Sequence, residues 1–228
     1  MEFMDFLSTV SLFSGLTREQ YDELAMIVTM QEYKRGQPIF AEGDEGNGFY
    51  LVMEGLVKIY KLSMDGKEQI LHIFGPGEPF AEAAVFTGSR FPAHALALEK
   101  SRIIFVPRAS FIKMIEANPS LAMNMLAALS MRLKKFTHMI EDLSLKEVPG
   151  RLAAHILYLS EQQEDRESVR LNIGKAQLAS LLGTIPETLS RILTKLSKQG
   201  LLNIDGPVIT ILDRDGLEEL SAGETRLK

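Results

Sequence analysis

The chain has 228 residues, 46% apolar and 24% charged, with a net charge of −5 and no cysteine. That length holds one large domain or two small ones, and the missing cysteines exclude disulfides, thiolate zinc sites and cysteine-held iron–sulfur clusters. No apolar run approaches the roughly 18 residues of a membrane span, and the acidic start "MEFMDFLSTVSLF" lacks the basic region of a secretory signal, so a cytoplasmic protein is expected.

Residues 1 to 30 read as short helices: in "TREQYDELAMIV" the apolar Tyr21, Leu24, Ile27 and Val28 recur at helical spacing behind Thr17, a suitable cap. From Tyr33 the chain becomes a series of short β-type runs cut by glycines. Asp65-Gly66, between "LVKIYKL" and "EQILHIF", is a hairpin signal, and "SRIIFVP" is a further strand before Pro107. Many short strands with frequent turns predict a small barrel or roll.

Asn118-Pro119 then announces a helix, Asn as cap and Pro in the first turn. Its residues Leu126, Leu129, Leu133, Phe136, Ile140 and Leu143 are spaced 3, 4, 3, 4, 3. That seam suits a two-stranded coiled coil and hence a homodimer, although a helix packed on its own domain can carry the same stripe. The seam stops at Glu147, and Pro149-Gly150 predicts a hinge.

Beyond it, "RLAAHILYLSEQQ" is helical and "SVRLNI" a short strand. Two helices follow closely, "GKAQLASLL" and "PETLSRILTKLSKQ", with Gly183 in the turn, Ala179 where the helices cross and Leu189 as an apolar anchor. This is a helix-turn-helix pattern, and Asp205-Gly206 between "LLNI" and "VITIL" adds a hairpin wing. Lys175, Arg191, Lys195 and Lys198 against Glu187 make the segment locally basic within an acidic protein.

The front of the second helix meets base edges in such a motif. Glu187 and Arg191 share one face; arginine can bind guanine O6 and N7, and a carboxylate can accept from cytosine N4. Ser190 and Thr188 stand beside them, while Lys175 and Lys195 suit phosphates. Two plainer readings compete: a surface ion pair between Glu187 and Arg191, and a capping box from Thr184 to Glu187.

Glycine-rich roll, long helix, hinge and winged helix-turn-helix together resemble the CRP/FNR transcription regulators over nearly the whole chain. "GDEGNGFYLVMEGLVKIYKLSMDGKEQIL" is similar to that family's roll, and "PETLSRIL" to the E-x-x-S-R recognition helix of its FNR-like members. The resemblance implies an α+β chain in three parts: a double-stranded, cyclic-nucleotide-binding-like β-roll for effector sensing (1–117), a dimerisation helix (118–147) and a winged helix-turn-helix (148–228). It also implies Glu187, Ser190 and Arg191 as base readers of TTGA-type half-sites, with an operator duplex and RNA polymerase as partners. Ile185 departs from the family's usual serine cap.

For the effector, cyclic AMP-binding members place Gly-Glu and then Arg-Ser around the cyclic phosphate. Here Ala81-Glu82 and Pro92-Ala93 stand in those places, so the arginine and one backbone N–H are missing, and cyclic AMP is not expected. Arg90 lies two residues off, roughly 6–7 Å along a strand. "FAEAAVF" most resembles the DNR and HcpR branch, which implies haem b and a response to nitric oxide or nitrosative stress. The pocket would comprise Phe80, Ala81, Glu82, Ala83, Ala84, Val85, Phe86, Leu133, Phe136 and Thr137, with His72 and His94 the candidate iron ligands. Each histidine has a plainer role, in a strand surface or in a structural hydrogen bond.

No G-x-S-x-G, H-E-x-x-H or phosphate loop is present, so no enzyme is expected. A cyclic-nucleotide-type regulatory module without DNA binding would share the roll but lack the winged helix.

Overall fold

Thr17 opens the second helix of the computed structural model, which describes residues 3–88, 90–225 and 227. The chain divides into two compact units, residues 1–133 and 134–228. In the first, α1 (Phe3–Thr9) and α2 (Arg18–Ile27) precede the sheets. Thr17 and Gln20 form a reciprocal capping box that satisfies two amides at the start of α2.

The strands are β1 (Thr29–Tyr33), β2 (Pro38–Phe40), β3 (Gly48–Glu54), β4 (Val57–Leu62), β5 (Glu68–Phe74) and β6 (Pro79–Phe80), then, after α3 (Ala83–Thr87), β7 (His94–Ala97) and β8 (Ser101–Pro107). They form two antiparallel four-stranded sheets, ordered β1-β8-β3-β6 and β2-β7-β4-β5. Gly66 adopts φ +79° in the β4–β5 turn, a conformation open to glycine at little cost. α4 (Arg108–Ala117) and α5 (Ser120–Leu145) follow, and the Asn118 side chain accepts from the Ser120 N–H at 3.2 Å.

Phe40, Val52, Val57, Phe74, Phe80 and Ile103 from the two sheets bury themselves together with Phe91 of the loop before β7. A second cluster joins Phe6, Leu7 and Phe13 to Phe49, Leu51, Phe111, Leu121 and Met125. β1 begins within the stretch read from sequence as helical, because Thr29–Tyr33 pairs along β8 and its side chains alternate rather than wind.

The second unit contains α6 (Val148–Gln162), β9 (Ser168–Arg170), α7 (Lys175–Leu181), α8 (Pro186–Lys198), β10 (Leu202–Asp205), β11 (Val208–Ile211) and α9 (Arg214–Ala222). The wing is an antiparallel sheet ordered β10-β11-β9. Leu152, Ile156, Leu178, Ala179, Leu189, Leu193, Leu196 and Leu217 form the core.

The break expected where the seam stops is present, just ahead of Pro149-Gly150. Both residues lie in the first turn of α6, where a proline needs no intrahelical hydrogen bond, and the break falls at Lys146-Glu147. Arg151 ties that break together by donating to the carbonyls of Lys146 and Leu143 at 3.0 and 3.3 Å, groups that a helix C-terminus leaves without partners.

His155 lies nearby on α6. Burial pushes its pKa down to about 4, with Asp142 pulling the other way. Because the folded value lies below the unfolded one, its contribution is complete above about pH 6.5 and declines as pH falls towards 4. Denaturant titrations of this unit should therefore lose on the order of 1–2 kcal/mol between pH 7 and pH 5. His155→Gln should flatten that dependence, and an unchanged pH profile in the variant would refute the assignment.

Candidate nucleic-acid interface and effector site

Just past the end of α7 and its C-cap Leu182 stands Gly183, whose φ of +67° lies in the left-handed region. The Thr184 N–H then donates back to Ala179 O at 2.9 Å, closing a tight C-terminal cap. A side chain at position 183 would meet the left-handed penalty of about 1–2 kcal/mol, so the angle between α7 and α8 depends on this glycine.

α8 buries Leu189, Ile192, Leu193 and Leu196 and exposes Glu187, Ser190, Arg191, Thr194, Lys195 and Lys198. Lys175 is exposed at the first position of α7, and Thr188 is half-buried. The capping-box alternative for Glu187 does not form. Ile185, not Thr184, is the N-cap; it makes no side-chain cap bond, and the Thr184 N–H is already taken by Ala179. The ion-pair alternative does not form either: the i,i+4 pairs among the described residues are Lys146–Asp142 and Arg214–Glu218. Glu187 and Arg191 therefore stand side by side at the front of an exposed face, a carboxylate and a guanidinium available to base edges. Lys195 and Lys198 lie in the last turn, where cations also suit the helix dipole.

The α5 seam resolves into two sides. Leu121 and Met125 are buried and Leu129 packs against the same core, so Leu129 belongs to the inner face. Phe136 and Leu143 are half-buried. Leu126, Leu133 and Ile140, seven residues apart, are 55%, 68% and 65% exposed. The outward stripe therefore joins these three to the alternate positions Met123, Ser130, Thr137 and Ser144, all exposed. In the seam read from sequence Leu129, Phe136 and Leu143 hold those alternate positions; Leu129 packs inward, and Phe136 and Leu143 are half-buried. The two stripes are offset by one residue, and burial separates them.

In the first unit, the segment after β6 turns sharply at Ala81, a non-glycine residue at φ +66°. Glu82 is 2% exposed and pairs with Arg132 of α5. Arg132 also donates to Pro79 O at 2.7 Å, and its guanidinium lies 4.7 Å over the Phe74 ring. Burial lowers the Arg132 pKa to about 10, with Glu78 opposing. The second carboxylate oxygen of Glu82, Oε2, is buried with no hydrogen-bond partner. Arg132 escaped the sequence reading. Its signal is its place on the inner face, seven residues after Met125, where an unpaired charge would not be tolerated.

Phe80 is fully buried and stacks with Tyr50 at 5.2 Å and Phe40 at 6.3 Å, and Val85 belongs to the core. Ala83, Phe86 and Leu133 are exposed. Phe136 and Thr137 belong to the second unit, and the side chain of Ala84 lies outside those described.

Arg90 is exposed and donates to Gly43 O at 2.6 Å. Ala93 is buried, and Pro92 O accepts from Lys61 at 3.1 Å. His94 Nδ1 accepts from the Glu42 N–H at 3.1 Å, Nε2 lies 3.8 Å from the Glu42 carboxylate, and the ring stacks on Tyr60 at 5.1 Å. His72 lies edge-on to Phe74 at 4.4 Å with Nε2 4.0 Å from Glu78. Both histidines thus make structural contacts within the first unit.

Among the described residues no helix is long and apolar enough to cross a membrane. Residues 30–118 match the cyclic nucleotide-binding domain and residues 150–220 the Crp-like helix-turn-helix domain. The chain is 32% identical to the fumarate and nitrate reduction regulatory protein of Escherichia coli, over 92% of this chain and 86% of that protein. It is 31% identical to the cyclic AMP receptor protein of Thermus thermophilus, over 93% and 97% of the two chains. The crystal structure of DNR from Pseudomonas aeruginosa matches with 32% identity, a TM-score of 0.51 and coverage of 96% of this chain and 99% of that one. A DNA-binding helix-turn-helix thus follows an effector-binding type of domain in one polypeptide, and the chain belongs to the CRP/FNR family of transcription regulators.

Proposed function

We propose that the chain acts as a homodimer on double-stranded DNA, reading an inverted repeat of TTGA-type half-sites with Glu187, Ser190 and Arg191, and contacting RNA polymerase from there. The exposed, mutually unpaired Glu187 and Arg191 at the front of α8 carry this reading. Lys175 and Lys195 supply phosphate contacts, which fix position rather than sequence. The outward stripe of α5 supports the dimer, since it would leave several large apolar side chains in water on a lone chain.

A small molecule acting at Glu82 and Arg132 sets the DNA affinity in this reading. A buried carboxylate oxygen without a donor costs about 1–3 kcal/mol, which a ligand N–H or O–H would recover. Cyclic AMP suits the site poorly, because Arg90 is tied to Gly43 and Pro92-Ala93 bring neither charge nor a proline N–H. Haem fits poorly as well: His94 would have to surrender two contacts with Glu42, and His72 its place against Glu78 and Phe74. Neither histidine is assigned as a ligand.

Titrating a labelled TTGA-type operator separates these effectors. Cyclic AMP should leave the dissociation constant within about twofold, far below the typical allosteric range of roughly 5–150-fold. Tight binding that depends on cyclic AMP would overturn the effector reading. A Soret band that shifts with nitric oxide and changes DNA affinity would restore haem to it.

A further inference from the structure

We infer that the apolar pair Ile185-Pro186 at the front of α8 reads a thymine methyl group, next to the base pair read by Glu187 and Arg191; the inference rests on the DNA-reading role proposed above. Ile185 breaks two local rules at once. It holds the N-cap, where Ser, Thr, Asn or Asp would satisfy an amide of the first turn, yet makes no cap bond. It also leaves a large β-branched side chain 51% exposed. Pro186 follows at the first helical position, exposed and without an N–H.

The placement makes that choice intelligible. Pro186 and Ser190 lie one turn apart on the exposed surface of α8, beside the Glu187–Arg191 edge. Residues at this end of a helix-turn-helix meet base edges. A side chain with neither donor nor acceptor cannot match guanine O6 and N7, adenine N6 and N7, or cytosine N4. The base-edge group it does match is the thymine C5-methyl. Polar groups at 187, 190 and 191 would then read one part of the half-site, and the carbon surface at 185–186 the adjacent thymine.

The experiment uses the full-length protein and an operator selected from random duplexes. Each thymine of the half-site is replaced by uracil, which removes the methyl group alone. One such replacement should weaken wild-type binding about 4-fold in a single half-site, the effect of one buried methylene-sized group, and about 15-fold in both. Ile185→Ser and Pro186→Ala should each blunt this response while remaining sensitive to the base pair read by Arg191. Serine restores the missing cap, so Ile185→Ser should melt no lower than the wild type, which separates lost recognition from lost folding. If every uracil replacement leaves wild-type binding unchanged, or if both variants keep the full uracil response, the inference is overturned. A failure of the underlying DNA-reading proposal looks different: no sequence is selected, or no base pair matters.

Discussion

Arg191→Ala should remove most of the discrimination between the operator and a scrambled duplex. The guanidinium is exposed near the front of α8, where a bidentate contact to guanine is worth about 1–3 kcal/mol. Two half-sites double that, so the specific complex should weaken by roughly 30-fold or more, with little change in non-specific binding. Lys195→Ala is the contrasting case. It should weaken all duplexes alike and lower the slope of log K against log salt by about one per protomer. Because both side chains are exposed, neither change should disturb the core formed by Leu189, Leu193 and Leu196. Arg191→Ala protein that still prefers the operator would remove the central residue from the proposed readout.

Leu133→Lys should separate the dimer. Leu133 is 68% exposed and occupies the middle of the Leu126–Leu133–Ile140 stripe, so a second copy would bring two lysines face to face. Loss of the second half-site removes the gain from joined binding, typically 10²–10⁴-fold. Sedimentation should show a folded monomer, since the inner face through Leu121, Met125 and Leu129 is untouched. A variant that still sediments as a dimer would show that the outward stripe is not the interface.

The exposed polar face of α8 was legible in sequence because a helix-turn-helix writes its geometry locally. Gly183 supplies a left-handed turn, Ala179 a close crossing, and the spacing of Leu189, Ile192, Leu193 and Leu196 leaves one polar face. The hairpins at Gly66 and Gly206 were legible for the same reason. What escaped depends on long-range packing. β1 is a strand because β8 lies beside it, and nothing in Thr29–Tyr33 announces a partner some seventy residues away. α4 and α9 are short, and α9 is held by Leu217 and Leu220 against the core as much as by its Asp213 cap.

The long helix shows the limit most clearly. Leu126, Leu133 and Ile140 belong to two lines of residues offset by one position, and burial alone tells which alternate residues turn inward. Glu82 and Arg132 stand fifty residues apart, so their pairing could not be read from either neighbourhood. Proline-glycine at 149–150 resembled a break because both residues disfavour helix interiors, whereas a first turn accepts them.

Selection of bound sequences from a pool of random duplexes tests the account most directly. The full-length protein should enrich an inverted repeat whose half-sites lie about one helical turn apart, 10–10.5 base pairs between centres. Each half-site should contain a G·C pair whose replacement is costly to the wild type and nearly neutral to Arg191→Ala. Enrichment of a single unrepeated site, or of no sequence at all, would contradict it.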